Sequence, residues 1–210
     1  MKIDATKTRL RLSDDISKAN KAADAASIQE QALDDVIMDT SAGSSEAYDS
    51  MRDYLDRLRR PAITLQRDFL VSYIADMQKD DREVAEKIEA ALGPVVDTEA
   101  TSRLIAGLQD QARATSNAVE TIGSFLPEGA RSAVDKFVDG LQDKARQLQD
   151  KLDVALEYFG DSSIYAQSEG YVDGLSKSQQ AITGISIDPT TGAYDISDAD
   201  LSWVQERDKE

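Results

Sequence analysis

The chain has 210 residues, with 24 Lys plus Arg against 40 Asp plus Glu, a formal net charge of −16. That balance argues against direct binding to nucleic acid or to an anionic membrane surface, since both recruit positive patches. It contains no cysteine and no histidine, which excludes disulfides, thiol chemistry, Cys/His zinc sites and catalysis by a His base or a Cys nucleophile.

The N-terminal stretch MKIDATKTRLRLSDDISKAN lacks an apolar run of seven or more residues, so no Sec-type signal peptide is expected there. No segment approaches the ~18 apolar residues of a membrane span. Leu12, Ile16, Ala19, Ala23, Ala26, Leu33 and Ile37 recur near one face, which predicts a long, alanine-rich helix from about residue 5 to 39. The cluster TSAGSSE at 40–46 reads as a turn, with Ser44 or Ser45 as the N-cap of the next helix.

That second helix is expected over about 46–92. In its first half Tyr48, Met51, Leu55, Leu58, Ala62, Leu65 and Phe69 recur at spacings of three and four, and the stripe continues through Val71, Ile74, Met77, Val84 and Ile88 to Gly93-Pro94. Pro61 sits in the middle of this pattern, where a proline is expected to bend or break a helix. Thr98 and Thr101 open a third helix with Leu104, Leu108, Ala112, Val119 and Ile122 on one face, interrupted at 125–129. A fourth carries Val134, Phe137, Leu141, Ala145, Leu148, Leu152 and Phe159 up to Gly160.

Ile164, Tyr171, Leu175 and Ile182 keep helical spacing afterwards, despite Gly170 and Gly174. At ISIDPTTGAYDIS, residues 185–197, the period shifts to two, which predicts a short β-hairpin. Ser197 with Asp200 resembles a capping box for a last helix with Leu201, Trp203 and Val204. The pattern runs on to Glu210 without a stop, as expected of a piece of a longer protein. The fold class expected is all-α: an elongated bundle of long antiparallel helices over 1–184, with a small C-terminal β-hairpin and short helix over 185–210.

Chemistry-bearing patterns are missing from the chain. Acid pairs such as Asp14-Asp15, Asp34-Asp35 and Asp80-Asp81 occupy adjacent helical positions about 100° apart and do not converge on a substrate. No phosphate-binding Gly loop, nucleophile elbow or calcium loop is present. No enzymatic activity, cofactor or metal is expected of these residues. Arg52, Arg57, Arg59 and Arg60 form a basic island, read first as pairing with neighbouring acids and second as a dock for an acidic helix. Two Tyr-acid pairs four residues apart, Tyr165 with Glu169 and Tyr194 with Asp198, are candidates for a recognition motif.

Four stretches together carry a family likeness: MKIDATKTRL, EAYDSMRDYLDRLRRPAITL at 46–65, VVDTEATSRLI at 95–105, and the terminal hairpin followed by a Trp-bearing helix. With them the chain resembles an LXG domain, the N-terminal targeting module of polymorphic toxins exported by the type VII secretion system of Gram-positive bacteria. The most specific part is Ala47-Tyr48-Asp49-Ser50 leading into a helix with Pro61. The naming Leu-x-Gly would fall at Gly43-Ser44-Ser45 and is absent.

The resemblance implies a non-toxic domain similar to WXG-type helical hairpins. Such a domain is made in the cytoplasm, pairs with small helical partners and is presented with them to a membrane-embedded secretion ATPase, without a Sec signal. A toxin domain would follow residue 210, and Tyr194/Asp198 or Tyr165/Glu169 would be the export motif. The expected partner-binding residues are Tyr48, Met51, Tyr54, Leu55, Leu58, Pro61, Leu65, Phe69 and Tyr73, led by the aromatics, which dominate interfaces. The same stripes would serve a self-associating coiled-coil adaptor, and the acidity a DNA mimic; both stay open here.

Overall fold

Two short strands, one near the start of the chain and one near residue 96, pair across more than 90 residues. The computed structural model of the protein describes residues 2–39, 41, 43–122, 128–160 and 166–207. In chain order it holds β1 (Lys2–Asp4), α1 (Ala5–Met38), α2 (Glu46–Tyr54), α3 (Arg60–Glu83), α4 (Ala90–Leu92), β2 (Val95–Asp97), α5 (Thr98–Ile122), α6 (Glu128–Gly160), α7 (Ala166–Thr183), β3 (Ser186–Ile187), β4 (Tyr194–Asp195) and α8 (Ser202–Arg207). This is the all-α bundle with a small C-terminal hairpin that the periodicity predicts. The chain divides into two compact units, Met1–Arg11 with Asp80–Ser162 and Leu12–Lys79 with Ser163–Glu210.

In the first unit β1 pairs antiparallel with β2, setting Lys2 against Asp97, Ile3 against Val96 and Asp4 against Val95. The sequence reading missed this pair. Alternation puts Ile3 and Val96 inward, and both are buried. Each strand ends in an aspartate that starts a helix: Asp4 Oδ1 accepts from the Lys7 N–H at 2.8 Å, and Asp97 Oδ1 from the Glu99 and Ala100 N–H groups at 3.1 and 3.0 Å. The bond from Ala100, the larger cause, holds the Asp97 carboxyl below the usual carboxylate range. Gly93, at φ 95° and ψ 174°, makes the reversal between α4 and β2 that other residues adopt only under strain.

Ile3, Ala5, Val84, Ile88 and Val96 share one core with Ile105 of α5 and Ala145, Leu152 and Ala155 of α6. α5 and α6 pack antiparallel, as an expected short connection between two amphipathic helices requires. Within this unit Arg9 of α1 donates from Nε to Asp81 in the last turn of α3 and from Nη1 to Glu89, both at 2.8 Å. Those two carboxylates, Asp81 first, raise the pKa of the guanidinium.

In the second unit Leu12, Ala19 and Ala26 are buried at seven-residue intervals along α1. Leu12 and Ala19 join Ile74 and Met77 of α3 in a thin seam. Alanines bring the helix axes close but bury little area, and the seam is supplemented by charge: Arg60 Nε donates to Asp34 at 2.7 Å, and Arg67 pairs with Glu30. Ala47–Tyr54, Leu58, Ala62 and Leu65 form the rest of this unit's contact surface, described below.

Pro61 neither ends nor interrupts the helical run from Glu46 to Leu92. Immediately before it, Leu55–Arg59 widen into a π-helical turn in which the Arg60 N–H donates to the Leu55 carbonyl, five residues back. An α-helix would aim the Arg57 carbonyl at the proline ring; the wider turn relieves that clash and removes the need for the missing N–H. A second π-helical turn spans Val84–Glu89 and places Val84 and Ile88 fully inside the first core.

Three further differences from the sequence reading concern faces and caps. Val71, Leu104 and Phe137 belong to the apolar stripes yet are 56%, 54% and 51% exposed. α8 begins at Ser202, not after Ser197: the Asp200 carboxylate accepts from the Ser202 N–H at 2.9 Å, while Ser197 bonds to Asp195. Glu128 and Gly129, read as part of an interruption, already belong to α6. Gly174, by contrast, is tolerated within α7 because a Cβ there would sit 3.1 Å from Leu65 Cδ2.

Candidate functional site

The stretch 44–65 was the sequence's strongest candidate for a docking face, and its first turn is tightly specified. Ser45, extended at φ −148° and ψ 156°, caps α2 by accepting from the Tyr48 N–H. Ser44 Oγ donates to Asp49 at 3.1 Å, and Ser50 Oγ donates to the Ala47 carbonyl at 2.9 Å. The Arg52 guanidinium lies 4.5 Å from the Tyr48 ring centroid and donates to the Asp39 carbonyl, which draws the end of α1 toward the start of α2.

The C-terminal segment lies against this turn. The Tyr194 N–H donates to Ser50 Oγ at 2.9 Å, and the Tyr194 ring stacks on Tyr54 with centroids 4.9 Å apart and planes 13° from parallel. Burial raises the Tyr54 pKa, since a phenolate there would lose its hydration. At the turn of the β3–β4 hairpin Gly192 adopts φ 74°, and a Cβ added to it would lie 3.7 Å from that of Ala47. Further along, Trp203 is buried with Leu58, Ala62 and Leu65 of the second helix and Ala181 of α7. Among the described residues no acceptor reaches its Nε1–H.

Two residues of the expected partner-binding set, Leu58 and Leu65, are buried within the chain. Leu58 and Leu65, 0% and 4% exposed, are spent inside the chain's own core and present nothing to another molecule. Tyr54 is half-buried under Tyr194, and Phe69 stacks on Tyr73 at 5.8 Å and meets the Tyr171 ring edge at 6.5 Å. Tyr48, Met51, Leu55, Pro61 and Tyr73 are likewise half-buried. The apolar stripe of α2 and α3 is therefore largely an internal face that receives α7, α8 and the hairpin.

Two arginines of the basic island pair with acids of this chain. Arg57 pairs with Asp53 at 3.2 Å, and Arg60 bridges Asp34 and Asp56 at 2.7 Å each. Exposed pairs of this kind contribute only about 0.2–1 kcal/mol each, so they set register more than stability. Tyr194 lies in a strand and Asp198, which is exposed, beyond it, so the two do not share a helical face. Tyr165 and the side chain of Glu169 lie outside the described residues.

Three aspartates of the terminal segment are held below the usual carboxylate range by N–H and O–H donors of their own turns. Asp188 accepts from Thr190 and Thr191, Asp195 from Ser197, and Asp200 from Ser202. Asp195, Asp198 and Asp200 border a shallow depression with Lys177. Among the described residues no group of three or more acidic side chains is placed to hold a metal ion, and none of their helices is long and apolar enough to cross a membrane. No protein-family model matches the chain, and no curated protein matches it.

Proposed function

We propose that the chain is a non-catalytic targeting and partner-binding domain of a secreted antibacterial toxin, exported with small WXG-like helical proteins by a type VII secretion system. One observation supports this reading above the others. The four stretches on which the resemblance to LXG domains rests meet in pairs: MKIDATKTRL joins VVDTEATSRLI through β1 and β2, and the stretch 46–65 meets the terminal hairpin through Ser50 and the Trp203 helix through Leu58, Ala62 and Leu65. The first pair lies in one compact unit and the second in the other, so each unit brings together parts of the likeness some 90 or 140 residues apart. The internal proline carried through its helix by a π-helical turn lies in the second of these units.

Export is the direct test. The chain, expressed in a Gram-positive host with an active type VII system and with its neighbouring small helical proteins, is expected to accumulate in the medium. Deleting the secretion ATPase should keep it inside the cell. Equal release with and without the ATPase would overturn the reading, and export with every small partner deleted would remove the composite signal. A stable homodimer by light scattering, indifferent to those partners, would favour a self-associating adaptor.

A further inference from the structure

Residues 185–204 have no means of holding their own shape. β3 and β4 share two residue pairs, Ser186 with Asp195 and Ile187 with Tyr194, and α8 is six residues long. An isolated two-stranded hairpin is at best marginally stable in water, and so is a free helix shorter than about 12 residues. The order of this segment is therefore borrowed from α2, α3 and α7, on which it lies.

Its attachment is concentrated at two places. At the hairpin, the Tyr194 N–H donates to Ser50 Oγ at 2.9 Å and the Tyr194 ring stacks on Tyr54. Further along, Trp203 is buried with Leu58, Ala62 and Leu65, flanked by the half-buried Leu201 and Val204. Little else is covered: Ile187 is 54% exposed, and Asp188, Asp195, Asp198 and Asp200 all lie at the surface. The bonds that Asp188, Asp195 and Asp200 accept close turns inside the segment and do not tie it down. The Trp203 anchor is also incomplete, since no acceptor among the described residues meets its buried Nε1–H. Released into water, that N–H gains a hydrogen bond, which lowers the cost of undocking.

What lies beneath is held by other contacts. α1 grips α3 through Leu12, Ala19, Ile74 and Met77, and through Arg60 with Asp34 and Arg67 with Glu30. α7 meets α3 independently, with Gly174 against Leu65 and the Tyr171 ring edge on Phe69. Gly184 follows α7 directly and is exposed, so a hinge there moves the segment without disturbing a helix.

We propose that residues 185–204 form a strap that docks and undocks as one piece while α1, α2, α3 and α7 stay folded. Closed, it seals Leu58 and Leu65; open, it bares them together with Tyr54 and Trp203. The strap is thus the chain's own occupant of the face whose spacing reads as an interface, and any other binder of that face meets it only in the open state. This inference stands apart from the export reading, because it concerns the purified chain alone.

Hydrogen exchange by mass spectrometry on the full chain, at subdenaturing urea, is the first test. Amides of 186–204 are expected to exchange roughly tenfold or more faster than those of 51–75, whose helical hydrogen bonds survive opening. Equal protection of the two stretches would overturn the proposal, since the unit would then open only as a whole. A covalent lock separates undocking from fraying. A Cβ at Gly192 would lie 3.7 Å from that of Ala47, a disulfide separation, and the chain has no native cysteine. The A47C/G192C chain carries the strain of a side chain at φ 74° in both redox states, so its oxidised and reduced forms compare directly. Oxidation is expected to slow exchange across the strap by roughly tenfold or more. It should protect Trp203, the single tryptophan, from acrylamide quenching to a similar degree, although the bond sits at the hairpin. Failure of the disulfide to form would contradict the docked geometry, and Trp203 quenching indifferent to it would show that the segment does not move as one piece.

Discussion

Glycine separates strain from convenience in this chain. Gly93 turns the backbone at φ 95°, where a Cβ is strained whatever space surrounds it. Gly93→Ala is therefore expected to destabilise the protein by about 1–3 kcal/mol in urea denaturation. Gly107 and Gly140 have ordinary helical backbones and open space around them, so Gly107→Ala and Gly140→Ala should each stabilise by up to ~1 kcal/mol in the same measurement, through helix propensity alone. Leu58 stands at the other extreme, fully buried between α7, Trp203 and its own helix. Leu58→Ala should cost roughly 2–5 kcal/mol, and a cost under 1 kcal/mol would mean that this core is not packed as described.

At the scale of elements, the π-helical turn before Pro61 has already removed most of what a mid-helix proline costs. Pro61→Ala is consequently expected to gain less than ~1 kcal/mol, rather than the ~3 kcal/mol released when a clashing proline is relieved. Hydrogen exchange at Arg60 and Ala62 reads whether the turn persists. The sequence made the helices legible because Leu12, Ile16, Ala19 and their successors repeat at a helical period over many turns. It hid the π turn because Pro61 signals only an obstacle, and the wider turn that avoids it has no spacing of its own. The β1–β2 pair was illegible for another reason: three residues are too few to show alternation, and their partner lies more than 90 positions away. Leu104 and Phe137 were assigned to buried stripes because a central position and its immediate flank both satisfy three-and-four spacing. Of the candidate site, the Tyr48–Phe69 stripe was legible as an interface, but spacing alone cannot say that its partner is the chain's own C-terminus.

For the whole molecule, acidity and stability are linked with a definite sign. Asp97, Asp188, Asp195 and Asp200 all titrate below the usual carboxylate value of 3.8 in the folded state. The unfolded chain takes up their protons first as pH falls, so their contribution is complete above about pH 4 and is lost progressively below it. Tyr54 acts at the other end: its folded pKa is raised, so its contribution is present below the ordinary value of 10.0 and is lost as pH rises beyond it. Thermal melts followed by circular dichroism should accordingly fall off below pH 4 and again above pH 10. The single tryptophan, Trp203, gives a local readout, and its emission should shift to the red when the C-terminal segment leaves Leu58. A red-shifted spectrum in the native protein at neutral pH would contradict its burial.

The two units are interleaved along the chain, with residues 1–11 and 80–162 in one and 12–79 and 163–210 in the other. No single cut therefore releases both intact, and synthesis cannot finish them in turn. On the ribosome β1 waits for residues 95–97, and Leu58 and Leu65 are made long before Trp203 emerges to cover them. From the synthesis of Leu65 until Trp203 emerges the nascent chain thus shows an open apolar stripe that the folded protein conceals, the window in which a chaperone, or premature aggregation, would find it.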